Sequence, residues 1–388
     1  MPIFFKDIIQ FIRKQFPYQD FIPLHAPVFR GNEKAYLLDT IDSTFVSSVG
    51  EYVNRFEEMM CHITGASYAI ALVNGTNALH MALILANVED NDEVITQSLT
   101  FIATCNAISY CNATPVFVDV DRDTMGMSPE ALEQFLSKNA EIRDDGFTYN
   151  RISGSRIKAC IPMHTFGFPC RIDLIAKICE VWNITLIEDA AESLGSYYKG
   201  KHTGVYGKMG TFSFNGNKTV TCGGGGALIT NDIGIAKRAK HLTTQAKVAH
   251  KWAFVHDEIG YNYRMPNLNA ALACAQLEQL DYFVNSKRVL ASDYKSYFEK
   301  NGISFVSEIN EAKANYWLNV ILFEDSEERD SFLKYANDNG VMSRPAWELM
   351  HRLPMFSNSQ RGDLSNSEWL ADRIANIPSS VRFIIDKD

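Results

Sequence analysis

The sequence predicts an α/β protein: a large domain built on a doubly wound, mostly parallel sheet, followed by a smaller C-terminal α/β domain. Short, strand-like apolar runs alternate with longer segments of helical period from about residue 68 onward. Polar residues follow the apolar runs, and the alternation stops after about residue 230. Such alternation is typical of a sheet with helices on both faces, in which ligands bind beyond the carboxyl ends of the strands.

The first segment, MPIFFKDIIQFIRKQF, predicts an amphipathic helix. Its apolar residues recur at helical spacing, at Phe5, Ile8, Ile9, Ile12 and Phe16. Charged residues interrupt it and no small-residue cleavage site follows, which argues against a targeting signal. We therefore expect a helix docked on the same chain, in preference to one attached to a membrane.

The large domain is predicted from five strand-like runs in order, YAIALV, EVITQS, TPVFVDVD, RIKACIPM and ITLIEDA. Helical segments follow the first four. Beyond residue 230 we predict helices at about 233–243 and 267–300, the strand YWLNVILF, the helix SEERDSFLKYANDNG and a final helix near 366–376. The expected domains are residues 1–285, with the N-terminal helix, and residues 286–388.

Composition excludes several classes of protein. The 388 residues are 46% hydrophobic and 21% charged, and no apolar run approaches the ~20 residues that cross a bilayer. A net charge of −9 gives no general attraction to nucleic acid. The eight cysteines form no CxxC pair, so we expect reduced cysteines, no metal site and a cytoplasmic protein.

The turn Asn74-Gly75-Thr76, followed by Asn77, lies where a helix is predicted to begin. Free backbone N–H groups and the helix dipole favour an anion there, so the turn is a candidate phosphate site. It matches neither the GxxxxGK[ST] nor the GxGxxG pattern. A simple helix cap remains the alternative at this point.

The segments LIEDAAESLGS and FSFNGNKTVTCGGGG each carry an ionisable residue next to small residues. Asp189 ends a strand, where it is either a solvated carboxylate or a partner for a protonated ring nitrogen. Lys218 precedes four glycines, and a partly desolvated lysine has a lowered pKa and can attack a carbonyl. A phosphate site, the aromatic Phe101, a carboxylate and this amine together indicate pyridoxal 5'-phosphate.

These motifs closely resemble the DegT/DnrJ/EryC1/StrS family of sugar aminotransferases. The resemblance runs from IPLHAPVFRGNEKAYL through NGTNALHMAL, SLTFIAT, HTFG, EDAAESLGS, FSFNGNK and GYNYRMPNLNAAL. It implies the fold type I architecture of pyridoxal phosphate enzymes. Within the family, the chain looks most like the branch that aminates C4 of UDP-linked 4-keto-6-deoxy-2-acetamido sugars, on routes to legionaminic acid or bacillosamine.

The resemblance also implies the roles of individual residues. Lys218 would form the Schiff base and carry the proton, Asp189 would pair with the pyridine nitrogen, and Phe101 would stack on the ring. Thr76 and Ser213 would hold the cofactor phosphate, and Asn262 of the neighbouring subunit would reach the same phosphate. Arg264 would contact the phosphates of the nucleotide sugar. The active unit would be a homodimer that takes its amino group from a donor such as glutamate.

Two positions depart from the family pattern. Glu192 replaces a glutamine that many relatives have near the ring oxygen of the cofactor. Trp347 replaces a tyrosine, and His351 follows four residues later, both at expected substrate contacts.

The rival functions are a 3-dehydrase of the same fold, whose members replace the lysine with histidine, and a non-catalytic regulator. Lys218 argues against the dehydrase, and the presence of both Lys218 and Asp189 argues against the regulator.

Overall fold

The computed structural model describes residues 3–17 and 19–382. The helices within these ranges are α1 (Ile3–Gln15), α2 (Glu33–Asp42), α3 (Glu51–Thr64), α4 (Gly75–Leu85), α5 (Ile102–Tyr110), α6 (Pro129–Asn139), α7 (Ile172–Val181), α8 (Ile233–Thr243), α9 (Asn267–Leu277), α10 (Leu280–Lys300), α11 (Ser326–Asp338) and α12 (Ser365–Ala371).

The strands are β1 (Tyr68–Leu72), β2 (Glu93–Gln97), β3 (Thr114–Val118), β4 (Ala140–Ile142), β5 (Thr148–Asn150), β6 (Ile157–Ile161), β7 (Thr185–Asp189), β8 (Tyr197–Tyr198), β9 (Lys201–His202), β10 (Met209–Ser213), β11 (Gly226–Thr230), β12 (Ser304–Phe305), β13 (Ala312–Lys313), β14 (Asn319–Leu322), β15 (Arg344–Pro345) and β16 (Ile374–Ile377).

The large sheet has seven strands in the order β1-β11-β10-β7-β6-β2-β3. Neighbours from β10 to β3 pair in parallel, whereas β11 pairs antiparallel with both β1 and β10. The predicted mostly parallel sheet is therefore confirmed, with one reversed strand. Because β11 is reversed, its first residues lie at the same edge as the carboxyl ends of β1 and β10.

Helices cover both faces of this sheet because strand side chains alternate between the faces. Along β1, Ala69 and Ala71 face a core that includes Phe56 of α3 and Ala273 of α9. Ile70 faces the opposite core, formed with α4 and α8. Buried side chains on both faces are what a doubly wound sheet requires.

A smaller sheet in the C-terminal part has the strand order β12-β14-β16-β15. The N-terminal helix packs here: Ile8 and Ile12 are fully buried in one cluster with Phe332 and Ala375. The predicted docking of α1 on its own chain is confirmed. This helix contacts the C-terminal part, although the predicted division grouped it with residues 1–285.

The prediction of a helix through 366–376 was wrong at its C-terminal end. Helix α12 ends at Ala371, and Ile374–Ile377 forms β16. This strand pairs antiparallel with β14, from Asn319↔Ile377 to Leu322↔Ile374. Long-range pairing of buried residues thus overrides a locally helical pattern.

The domain boundary at residue 285 stays a prediction, and it falls inside α10. The predicted helical region 267–300 is confirmed as α9 and α10. None of the helices in the described ranges combines the length and apolar character needed to span a membrane. All the cysteines are free.

At two of the four glycines before Ala227, neighbouring atoms leave no room for a side chain. A Cβ on Gly226 would lie 2.3 Å from the carbonyl oxygen of Asn74, and one on Gly225 would lie 2.4 Å from the Cys222 Sγ. Gly223 has a φ of 79°, which favours glycine. At Gly224, by contrast, the nearest atom to an added Cβ is the Val73 oxygen, at 3.7 Å.

We predict that Gly226→Ala destabilises the protein by ~1–3 kcal/mol, because the methyl group must displace the backbone of the Asn74-Gly75 turn. The matched variant Gly224→Ala has room for its methyl group and should change the free energy of unfolding by less than ~0.5 kcal/mol. Urea unfolding of both variants measures the difference. Equal effects would show that close approach does not explain Gly226.

Candidate active site

The carboxyl edge of the large sheet encloses a cavity of about 300 Å³. Strands β1, β7 and β10 end at it, and the chain between β10 and β11 closes one side. The predicted residues that line it are Gly75, Thr76, Phe101, Asp189, Glu192, Ser213, Lys218 and Trp347. The structure therefore brings together most of the residues that the sequence singled out.

The first turn of α4 forms one end of the cavity. Asn74 is the N-cap, and its side chain accepts a hydrogen bond from Asn77 N at 2.8 Å. The N–H groups of Gly75 and Thr76 lie in the same turn, where helix geometry leaves them without intrahelical partners. Ser213 packs so close that a Cβ on Gly75 would lie 2.8 Å from its Cβ. The turn is thus a helix cap whose free N–H groups lie beside a hydroxyl group, an arrangement that can bind an anion.

Asp189 lies at the end of β7 and is only 2% exposed. Its Oδ2 accepts a hydrogen bond from Thr104 Oγ1 at 2.8 Å, and its Oδ1 accepts one from Ala191 N at 3.2 Å. Burial raises the pKa of Asp189, and these hydrogen bonds act in the opposite direction. The carboxylate is held rigidly at the cavity wall, where it can pair with a cation.

Glu188 is excluded from this role by its position on the strand. Its side chain points away from that of Asp189, as alternation requires. It accepts hydrogen bonds from His164 Nε2 at 3.0 Å and from the backbone N–H groups of Gly204, Tyr206 and Gly207. Glu188 is therefore fully engaged within the protein, and of these two adjacent carboxylates it is Asp189 that faces the cavity.

Lys218 follows β10 in the segment that leads to the glycines. Its Nζ lies 3.0 Å from Glu192 Oε1 and 3.9 Å from the ring centroid of Trp317. Burial raises the pKa of Glu192 to about 7, although Lys218 lowers it. The sequence predicted a partly desolvated lysine, but it did not predict the contact between Lys218 and the Glu192 carboxylate. The amine is thus held at the cavity by an ion pair and an aromatic face.

Asn315 fixes the position of Trp317. Its Nδ2 donates hydrogen bonds to the backbone oxygens of Glu192 and Leu194 at 2.9 and 2.8 Å. Its Oδ1 accepts one from Trp317 N at 2.8 Å. Trp317 Nε1 in turn donates to Asn217 O at 2.7 Å. One buried amide thereby joins the loop after Asp189 to the tryptophan beneath Lys218.

Aromatic rings form the wall opposite the sheet. The ring centroid of Trp347 lies 5.9 Å from that of Phe101 and 4.9 Å from that of Phe166. Phe101 is the N-cap of α5 and is 45% exposed, so its ring is available to a ligand. Glu192 Oε2 accepts a hydrogen bond from Phe166 N at 2.8 Å, which ties this wall to the ion pair.

Four predicted residues do not line this cavity. Asn77 uses its backbone in the helix cap, and Asn262 is exposed. Arg264 pairs with Leu72 in an isolated bridge, and its Nε has no hydrogen-bond partner among the described residues. His351 is buried, with Nδ1 2.7 Å from Ser98 Oγ and Nε2 3.3 Å from Glu368. Their predicted roles stay predictions.

Three contributors were missed by sequence reasoning: Thr104, Asn315 and Trp317. Thr104 lies one helical turn after Phe101, so its proximity to the same cavity follows from helical spacing. Asn315 and Trp317 precede a strand of the C-terminal part, about a hundred residues from Lys218. Neither carried a local signal for a contact with the lysine.

This donor set fits an enzyme site for a phosphate-bearing cofactor with a basic ring nitrogen and a reactive carbonyl. The α4 turn and Ser213 would donate to a phosphate, Asp189 would accept from a protonated ring nitrogen, and Lys218 would supply a primary amine. Phe101 offers a face for stacking. The residues present therefore fit pyridoxal 5'-phosphate.

Comparison with known proteins agrees with this class of enzyme. Residues 28–387 match the model of the DegT/DnrJ/EryC1/StrS aminotransferase family, and the chain belongs to this family. It is 39% identical over 363 residues to a GDP-perosamine synthase of Escherichia coli O157:H7, covering 92% of this chain and 93% of that protein.

Two further relatives also match most of the chain. EpsN of Bacillus subtilis (strain 168), named as a pyridoxal phosphate-dependent aminotransferase, is 36% identical over 86% of this chain and 84% of its own. A solved family member from Brucella abortus has a TM-score of 0.80 at 26% identity, over 90% of each chain. The predicted fold and the cofactor, pyridoxal 5'-phosphate, are confirmed.

The Glu192 carboxyl predicts a pH dependence of stability in the cofactor-free protein. Its folded pKa of about 7 lies above the reference value of 4.5, so the folded state holds this proton more tightly. The resulting stabilisation is complete below pH ~4.5 and is lost as the pH rises through ~7. Relative to Glu192→Gln, the wild type should lose on the order of 1–3 kcal/mol across this window.

Urea unfolding of the two proteins from pH 4.5 to 8 measures this loss. The matched variant Glu58→Gln changes an exposed carboxyl on α3 and should keep the pH slope of the wild type. Parallel curves for the wild type and Glu192→Gln would contradict the raised pKa.

Proposed function

We propose that this protein transfers an amino group from glutamate to C4 of a nucleotide-linked 4-keto-6-deoxy sugar, and that the nucleotide is GDP. The observation that carries the proposal is the Lys218 amine, held 3.0 Å from Glu192 in a cavity that also contains buried Asp189. Family membership supports amino transfer, and the GDP-perosamine synthase relative supports a GDP-linked sugar.

The expected nucleotide thereby changes from UDP to GDP. The sequence motifs resemble the branch that uses UDP-linked 2-acetamido sugars, whereas curated relatives from Escherichia coli O157:H7 and Vibrio cholerae are named as GDP-perosamine synthases at 39% and 34% identity. The UDP-linked sugar is therefore the rival substrate. The free cysteines support our placement of the reaction in the cytoplasm.

Pyridoxal phosphate, when bound, supplies a carbonyl that exchanges nitrogen and a pyridinium ring that withdraws electrons. Side chains of the protein would orient the cofactor and move the protons. Asp189 keeps a proton on the ring nitrogen, and its bonds to Thr104 and Ala191 fix its direction. Lys218 would carry a proton to and from the reacting carbon, and Glu192 holds its amine in place through a contact of 3.0 Å.

We also propose that two copies of the chain build each site, with Asn262 reaching the cofactor phosphate of the partner. Asn262 is exposed and does not line the cavity of its own chain. The preceding segment exposes Trp252, Phe254 and Ile259 by 78%, 80% and 86%. An exposed apolar segment of this size supports an interaction surface.

We predict that Lys218→Ala loses visible absorbance by the bound cofactor and at least about a hundredfold in amino transfer, because no other amine among the described residues lines the cavity. The matched variant Lys208→Ala changes an exposed lysine and should retain both properties. Spectra before and after the addition of glutamate provide the measurement. An unaltered spectrum in Lys218→Ala would assign the amine elsewhere.

For the substrate, we expect the GDP-linked 4-keto-6-deoxy sugar to give the highest kcat/KM with glutamate in a panel that includes UDP- and dTDP-linked sugars. Mass spectrometry and NMR of the products identify the aminated carbon. Exclusive use of the UDP-linked 2-acetamido sugar would restore the rival substrate. If no sugar in the panel is aminated, the proposed function is wrong.

The shared site predicts complementation between two inactive proteins. Lys218→Ala lacks the amine, and Asn262→Asp sets a negative charge against the partner's cofactor phosphate. In a mixed dimer, one site collects both lesions and the other collects neither. Refolding equal amounts together should restore about a quarter of wild-type activity if twofold dimers form at random.

Native mass spectrometry confirms that mixed dimers are present, and each variant refolded alone is the control. Activity that remains at the level of the separate variants would rule out a shared site.

A further inference from the structure

A second cavity, of about 430 Å³, lies next to the candidate active site. Asn217, Trp317 and Trp347 line both cavities. The second one is completed by His25, from the segment before α2, and by Arg344 and Asn376, from adjacent strands of the small sheet. The two cavities therefore share part of their lining, and Trp317 and Trp347 belong to both.

Polar atoms without hydrogen-bond partners line the second cavity. Both ring nitrogens of His25 are buried, and the structure gives neither a partner within residues 3–17 and 19–382. Asn376 is 2% exposed, and its Nδ2 donates to Pro345 O at 3.3 Å, but its Oδ1 has no described partner. A buried polar atom without a hydrogen-bond partner destabilises the folded protein, and a ligand that bonds to it removes this cost. These unpaired atoms therefore indicate that a polar ligand binds in the second cavity.

The ionisation of His25 restricts the kind of ligand. Burial lowers its pKa, as do the nearby charges of Lys287 and Lys218, while a backbone contact with Asn217 acts in the opposite direction. A neutral imidazole offers one N–H donor and one nitrogen acceptor. Together with Asn376 Oδ1, the cavity thus presents two free acceptors, while the imidazole N–H faces the backbone of Asn217.

This balance disfavours an anion. A carboxylate or phosphate has only acceptors, so it would leave the His25 acceptor nitrogen and Asn376 Oδ1 unsatisfied. Arg344 lies at the exposed rim, where its Nη1 donates to Asn337 Oδ1 and Ser343 O at 3.1 and 3.2 Å. A hydroxyl group or a secondary amide both donates and accepts. Either would satisfy the buried atoms.

We propose that the second cavity is the subsite for a hydroxyl or acetamido substituent of the sugar ring, bound by His25 and Asn376 while the carbon to be aminated faces Lys218. This inference rests on the proposed function, since it assigns one part of that substrate. His25 and Asn376 act as specificity-determining residues, and they contact neither the cofactor nor the nucleotide. The tryptophans supply apolar faces for the ring carbons.

The test separates the two half-reactions. His25→Leu removes both ring nitrogens at similar volume, and we expect it to raise the KM for the keto sugar about tenfold. Conversion of the bound cofactor by glutamate, followed by its visible absorbance, should stay within about twofold. His25→Gln restores a donor and an acceptor and should recover much of the loss. His62→Leu, on the exposed side of α3, is the matched control.

The GDP-linked 4-keto-6-deoxy sugar and the UDP-linked 2-acetamido keto sugar form the two substrate arms. A selective loss with either one supports the subsite and identifies its substituent. An equal fall in both half-reactions, or a KM unchanged for every accepted sugar, overturns the proposal. If the wild type aminates no sugar, the proposed function fails instead.

Equilibrium binding of free GDP and free UDP gives a readout independent of turnover. Their quenching of tryptophan fluorescence yields a Kd for each protein. Because the sugar substituent alone enters the second cavity, His25→Leu should leave both Kd values unchanged. A weaker Kd for a free nucleotide would place the nucleotide in the cavity and overturn the assignment.

Discussion

The close approach of Gly226 to the backbone of Asn74 is the constraint on which the site depends. It allows β11 to pair antiparallel with both β1 and β10, so the chain leaves and re-enters the sheet at the same edge. The excursion between Ser213 and Gly226 carries Lys218. A side chain at Gly226 would push the α4 turn away from the segment that carries Lys218.

Local signals predicted the parts of this arrangement that depend on one strand and the turn after it. The Asn74-Gly75-Thr76 turn, Asp189 and Lys218 were found because each follows a strand-like run, and the parallel ends of such strands meet. Contacts set by long-range packing gave no such signal. Trp317 contacts Lys218 because Asn315 holds its backbone in place. Ile374–Ile377 forms a strand because it pairs with β14. The reversed direction of β11 was also missed, since four glycines indicate close approach but not orientation.

The C-terminal part contributes the wall of the cavity, whereas the large sheet contributes its charged groups. Asp189 and Lys218 come from the sheet, and Trp317 and Trp347 come from the C-terminal part. Asn315 joins the two because its amide bonds both the loop after Asp189 and the backbone of Trp317. A small shift of the C-terminal part would therefore move the aromatic face under Lys218 and change the surroundings of the Glu192 ion pair.

The same tryptophans explain how charged chemistry and neutral recognition coexist within one cleft. In the first cavity, Glu192 and Lys218 form a close ion pair, and the hydrogen bond from Phe166 N to Glu192 helps to offset the cost of burying its charge. In the second cavity, His25 is neutral because burial and nearby positive charge disfavour a further proton. A charged His25 imidazole would be repelled by the nearby ammonium group of Lys218. Recognition by neutral donors and acceptors is thus the form of polar contact that the second cavity can use without disturbing the amine.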